Sequence, residues 1–115
     1  MKVLIVEDDH GMRQLIKRLV HDVADSIFEC SDGRQALATY AEHRPEWVLM
    51  DIRMEPMDGL TATRQITAMW PDARVAIVTS YNDKSLREAA HEAGAREYVL
   101  KDDLHLLRSI LAPPR

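Results

Sequence analysis

The residues with chemical potential in this chain are acids placed where apolar runs stop. Glu7, Asp8 and Asp9 follow Val3-Leu4-Ile5-Val6, and Asp51 follows Trp47-Val48-Leu49-Met50. A short continuous apolar run reads as a buried strand, so each acid stands where a strand gives way to a loop. In an open α/β sheet the ligand crevice lies outside the carboxyl ends of the strands. Carboxylates crowded there must either protonate or bind a cation. An all-oxygen donor set suits Mg2+, which takes one or two carboxylates and keeps several waters. A carboxylate neutralised in this way can attack phosphorus and form an aspartyl-phosphate. Two further strand ends carry suitable partners, Thr79-Ser80 after Val75 to Val78 and Lys101 after Tyr98 to Leu100. Lys101 is a mobile point charge for a phosphate oxygen, and the Thr79 hydroxyl can donate to another.

The elements that must position these groups alternate along the chain. After the strand Val3 to Val6, apolar residues recur at Met12, Leu15, Ile16, Leu19, Val20 and Val23, which is helical spacing. A shorter strand, Ile27 to Cys30, leads through Asp32-Gly33 to a helix expected to bury Ala36, Leu37, Tyr40 and Ala41, with Pro45 ending it. The third strand is Trp47 to Met50, and its helix is expected to bury Leu60, Thr63, Ile66 and Met69 before Pro71-Asp72. The fourth strand, Val75 to Val78, precedes a helix capped by Asn82 or Asp83, carrying Leu86, Ala89, Ala90 and Ala93 and stopping at Gly94. After the fifth strand, Tyr98 to Leu100, Asp102 or Asp103 is expected to cap a last helix with Leu104, Leu107, Ile110 and Leu111. Strands alternating with helices predict an α/β fold around a parallel sheet.

The quoted motifs Val6-Glu7-Asp8-Asp9, Met50-Asp51-Ile52-Arg53-Met54, Met57-Asp58-Gly59-Leu60, Val78-Thr79-Ser80 and Tyr98-Val99-Leu100-Lys101 together resemble the response-regulator receiver domain of two-component signalling. The resemblance covers essentially the whole chain, in order. It implies a doubly wound, flavodoxin-like five-stranded sheet of order 2-1-3-4-5 with five flanking helices. It implies Asp51 as phosphoacceptor and also as a metal ligand, Glu7 and Asp8 as the acidic pair for Mg2+, and the backbone carbonyl of Arg53 as a further ligand. Thr79 takes the position of the switch hydroxyl, Lys101 of the phosphate-pairing lysine and Tyr98 of the switch aromatic. Arg53 and Tyr81 fall where the family tunes phosphoryl lifetime, and their bulk is expected to impede an attacking water. The implied partners are a histidine kinase and a downstream protein or second copy meeting the face of the fourth helix, fifth strand and fifth helix. Such a domain is not a conventional enzyme; it promotes its own aspartyl phosphorylation and dephosphorylation.

Two departures from the family pattern stand out. Glu55 follows Met54, displacing the expected proline to Pro56 and adding a negative charge near the site. Lys101 is followed by Asp102 rather than proline, as in receivers that precede helix-turn-helix DNA-binding domains. Residues 1–112 read as the receiver and 113–115 as a tail or the start of a linker.

Plainer readings fit several other residues. Asp9 is expected to begin the first helix, and Asp58-Gly59 to make a turn into the third. Cys30, the lone cysteine, reads as a buried core thiol. The histidines His10, His21, His43, His91 and His105 lack metal-ligand spacing. With 115 residues, 46% hydrophobic and 30% charged, the chain is one ordinary globular domain. Its net charge of −4 and lack of a basic stripe argue against direct nucleic-acid binding. No apolar run approaches the ~20 residues a membrane span needs, so a cytoplasmic location is expected.

The competing reading is a stand-alone or degenerate receiver that binds a protein without phosphorylation, favoured only by Glu55 and the displaced Pro56. An aspartate-nucleophile phosphatase of another α/β family would want a second Asp where Arg53 stands. The glycines Gly11, Gly33, Gly59 and Gly94 never form the G-x-G-x-x-G of a dinucleotide site.

Overall fold

The computed structural model describes residues 1–112; Pro113-Pro114-Arg115, read above as a tail or linker, lies outside them. The chain runs β1 (Lys2–Val6), α1 (His10–Val20), β2 (Ser26–Cys30), α2 (Gly33–His43), β3 (Trp47–Met50), α3 (Gly59–Met69), β4 (Val75–Thr79), α4 (Lys84–Glu92), β5 (Glu97–Leu100) and α5 (Leu106–Leu111). All strand pairs are parallel, in the order β2-β1-β3-β4-β5. This is the flavodoxin-like doubly wound sheet that the strand–helix alternation and the family resemblance predict.

Side chains alternate across a strand, so each strand feeds both faces of the sheet. Leu4, Val6, Val48, Met50, Val75 and Ile77 pack on one side with Ala36, Tyr40, Ala62, Ile66 and Ala90 from α2, α3 and α4. Val3, Ile5, Leu49, Ala76, Val78 and Val99 pack on the other with Ile16, Val20, Leu107 and Leu111 from α1 and α5. The continuous apolar runs of β1, β3 and β4 follow from this two-sided cover. Among the described residues no helix is long and apolar enough to cross a membrane.

Three expected helix faces are corrected. Met69 is 67% exposed rather than inward. The inner position at that end of α3 goes to Trp70, whose ring lies 4.9 Å from that of Tyr40. Ala41 is exposed, because Ala36 and Tyr40 already fill the space beneath α2. Val23 lies beyond the end of α1 in the following turn, yet still packs against the core.

Two expected caps also differ. Asp102 and Asp103 sit within a single 3-10 turn, Lys101–Asp103, and α5 starts only at Leu106 without a side-chain cap. That turn carries the chain from β5 so that Leu104 and Leu107 both reach the core. Asp83 occupies the start of α4 but makes no cap bond, while the Asn82 side chain accepts from Arg87 Nε at 3.0 Å. Gly94 ends α4 as expected, at φ 101°, in the left-handed region that a residue without Cβ enters at no steric cost.

Candidate functional site

Strand register builds the site. Val6 pairs with Cys30 on one side and Met50 on the other. The next residues continue the ladder: Glu7 N–H donates to Cys30 O at 3.0 Å, and Asp51 N–H donates to Val6 O at 3.0 Å. Glu7 and Asp51 therefore leave adjacent strands side by side. The sheet order reverses between β1 and β3, the point at which such folds open a ligand crevice.

Glu7, Asp8 and Asp51 each offer a carboxylate oxygen within 4.8 Å of the others'. Glu7 and Asp51 are buried and Asp8 is exposed. Lys101 Nζ lies 2.9 Å from Glu7 Oε1 and 3.4 Å from Asp51 Oδ2. Local main chain orients the acids: Ile52 N–H donates to Asp51 Oδ1 at 2.8 Å, and Asp9 N–H donates to Glu7 Oε2 at 3.1 Å. Glu7 Oε1 stays close to Lys101 but off the direction of a hydrogen bond, a buried acceptor left open.

Charge follows this geometry. Burial raises the Asp8 carboxyl above its ordinary value, and the Glu7 carboxylate beside it raises it further against the pull of Lys101. Burial tends to deprotonate Lys101, but Glu7 and Asp51 outweigh it and hold the ammonium above the usual lysine range. Three carboxylates facing one ammonium leave two negative charges uncompensated. The open buried oxygen, the oxygen-only donors and this residual charge fit a divalent hard cation such as Mg2+.

Thr79 is fully buried at the end of β4, and its Oγ1 accepts the Tyr81 N–H at 3.3 Å. The Tyr98 hydroxyl donates to Tyr81 O at 2.6 Å. One residue, Tyr81, thus joins the candidate switch hydroxyl to the candidate switch aromatic through its main chain. The Arg53 guanidinium lies 4.3 Å from the Tyr81 ring centroid and that of Arg87 4.6 Å from Tyr98's. Burial raises the Tyr98 hydroxyl's pKa, with Arg87 opposing, so it stays a donor.

Residues with plainer roles fall where the sequence placed them. Asp9 caps α1 by accepting Met12 N–H at 2.7 Å, and Asp58 caps α3 by accepting Thr61 N–H at 2.9 Å. Cys30 is buried, which pushes its thiol pKa up, and its Sγ lies 3.2 Å from Thr39 Oγ1. His43 stacks on Phe28 at 4.0 Å. Glu55 is exposed and lines an open cavity of about 730 Å3 beside the site with Asp8, Arg53, Asp58, Leu60 and Arg64. Among the described residues the Glu55–Pro56 peptide is the one cis bond.

Gly59, expected only to turn the chain into the third helix, packs so tightly under Asp51 that a Cβ there would meet Asp51 O at 1.7 Å. Arg13 reaches the Glu7 carbonyl at 2.7 Å, a contact signalled only by a basic residue in the first turns after the acids.

The fold and the crevice define a flavodoxin-like domain with an acidic site at its switch point. The profile of the response regulator receiver domain matches residues 3–112. The chain belongs to this family, the receivers of two-component systems. It is 37% identical over 101 residues to the chemotaxis protein CheY of Bacillus subtilis, covering 87% of this chain and 84% of CheY. It is 35% identical over 104 residues to the uncharacterized transcriptional regulatory protein YhcZ of the same organism, covering 89% of this chain and 49% of YhcZ. The chain thus spans about half the length of that relative. Among solved structures it is similar to the CheX–CheY–BeF3–Mg2+ complex from Borrelia burgdorferi, with TM-score 0.84, 26% identity, and 97% and 90% of the two chains covered.

Proposed function

We propose that this receiver is a phosphorylation-driven switch that takes a phosphoryl group from a histidine kinase onto Asp51. The observation that carries the reading is the convergence of Glu7, Asp8, Asp51 and Lys101 on one crevice. Glu7, Asp8, Asp51 and the Arg53 main-chain carbonyl would hold Mg2+; the similar Borrelia complex contains Mg2+ and BeF3. When bound, the cation would neutralise charge on the carboxylates and on the incoming phosphoryl oxygens.

Asp51 then acts as the nucleophile. A carboxylate oxygen forms the new O–P bond as the P–N bond to the donor imidazole breaks, and the nitrogen keeps the electron pair. Lys101 can leave Glu7 for a phosphoryl oxygen, keeping its charge throughout because its pKa is raised. Thr79 can donate its hydroxyl proton to another oxygen once its hydroxyl turns away from the Tyr81 N–H. Tyr81 would then shift, and the Tyr98 hydroxyl bonded to its carbonyl would shift with it. The face of α4, β5 and α5 would change affinity for a protein partner or second copy, a population shift biased by one local charge.

Hydrolysis is governed by what shields the phosphoryl group. Arg53 and Tyr81 stack on each other, so they form one cover rather than two independent ones. Residues 1–112 form the receiver in this reading, and 113–115 a tail or the start of a linker. A cytoplasmic location fits a kinase donor, and no direct nucleic-acid contact is assigned to this chain.

Incubation with Mg2+ and a small phosphodonor such as acetyl phosphate, followed by intact mass, tests the proposal. A phosphoryl adduct that disappears in Asp51→Asn is expected. No adduct from either the small donor or a kinase would instead favour a phosphorylation-independent binding module.

A further inference from the structure

Glu7 is held at both ends of its main chain, and one end depends on Arg13. Its N–H donates to Cys30 O on β2 at 3.0 Å. Its carbonyl accepts from Arg13 Nη1 at 2.7 Å. The same guanidinium donates through Nε to Glu29 Oε1 at 3.1 Å. Its Nη2 lies 3.2 Å from His10 Nδ1. Glu29, also on β2, is braced in turn by Gln14 Nε2 at 2.9 Å and Lys17 Nζ at 3.0 Å. Arg13 is only 17% exposed, so the fork is a packed strut rather than a loose surface pair.

The carbonyl that Arg13 grips belongs to the Glu7–Asp8 peptide. Its direction sets how the chain leaves β1, and with it the aim of both carboxylates. We propose that Arg13 is a positioning residue for the cation site, pinning this peptide so that Glu7 and Asp8 face Asp51 before the cation arrives. The inference rests on reading Glu7, Asp8 and Asp51 as the Mg2+ site. Without the strut, binding must also order the loop, which weakens affinity. Lysine cannot replace it, because one ammonium on a flexible stem does not span Glu7 O and Glu29 in two fixed directions.

Electrostatics predicts the opposite sign, which makes the test sharp. Deleting a nearby positive charge by itself draws a cation in more tightly. Mg2+ binding to the full chain is measured calorimetrically for wild type, Arg13→Ala, Arg13→Lys and Arg18→Ala, the last removing an exposed charge from the same helix. Arg13→Ala is expected to raise the Kd by about tenfold, Arg13→Lys not to restore it, and Arg18→Ala not to raise it. In the metal-free proteins, amide resonances of Asp8 and Asp9 should broaden in the Arg13 variants while those of β4 stay sharp. A folded Arg13→Ala protein with wild-type or tighter Mg2+ affinity overturns the inference and leaves the phosphorylation reading intact. Wild type that binds no Mg2+ overturns both. If Arg13→Ala does not fold, Glu29→Ala removes the brace instead; unchanged Mg2+ affinity there overturns the strut.

Discussion

Glu7 and Asp8 are neighbours in sequence with opposite surroundings, one buried and one exposed. In the proposed cation site their roles would divide accordingly: Glu7 faces Lys101, while Asp8 would offer an oxygen on the solvent side, where a cation and its waters would enter. Glu29 is the brace at a distance: burial tends to raise its carboxyl, but Lys17 and Arg13 overcome this and hold it below its ordinary 4.5. A carboxyl lowered on folding contributes stability above its unfolded pKa and loses it as pH falls through its folded one. Glu29→Gln should therefore be less stable than wild type at neutral pH, with the gap closing as pH drops through and below 4.5 in urea melts. The stacked Arg53 and Tyr81 make a second prediction at this scale. Arg53→Ala and Tyr81→Ala should each shorten the phospho-lifetime, and the double variant by less than the product of the two, because either change dismantles the same cover. Lifetimes unchanged in both single variants would remove the pair from the mechanism.

At the scale of elements, the site depends on how strands end and helices begin. Asp58 accepts from Thr61 N–H at 2.9 Å and from the Thr61 hydroxyl at 3.0 Å, so Asp58→Ala should cost about 1 kcal/mol of stability. Gly59 is more demanding, since a methyl there would collide with Asp51 O. Gly59→Ala should cost about 1–3 kcal/mol and also slow phosphorylation by displacing the nucleophile, whereas Asp58→Ala should leave the chemistry nearly intact. Phosphorylation rates measured on both variants would separate the two roles. The strands and the acids at their ends were legible because apolar runs and the polar residues that end them are local patterns. Met69, Ala41 and the start of α5 were not, because a helix's inward arc depends on neighbours: Trp70 displaced Met69, and Leu104 drew the chain through a 3-10 turn. Arg13's reach to Glu7 was hidden for the same reason, since nothing in its own segment names its acceptor.

For the whole molecule, the sheet sets the proposed phosphorylation site apart from the proposed partner face. The acidic crevice opens at the strand ends between β1 and β3, while Tyr98 lies on β5, two strands away. Tyr81 spans the last step, from the end of β4 to β5, with one bond to Thr79 and one to Tyr98. To carry the domain from 1% to 99% switched, phosphorylation must favour the switched state by roughly 5.5 kcal/mol. That demand falls on few contacts, so the Tyr81–Tyr98 link matters: Tyr98→Phe should reduce phosphorylation-dependent partner binding while leaving adduct formation unchanged. Cation binding should also stabilise the fold as a unit. Mg2+ at 100 times its Kd should add about 2.7 kcal/mol, a Tm rise on the order of 10 °C for a domain of this size, and Asp8→Asn should remove most of it in a calorimetric scan.

Phosphorylation of Asp51 is tested best by locating the phosphoryl group itself. After reaction with acetyl phosphate, borohydride reduction converts an acyl phosphate to homoserine, and peptide mass mapping identifies the residue. Homoserine is expected at position 51 when Mg2+ is present and almost none when it is chelated. Modification at another carboxylate, or equal modification of Asp51 without the cation, would contradict that expectation.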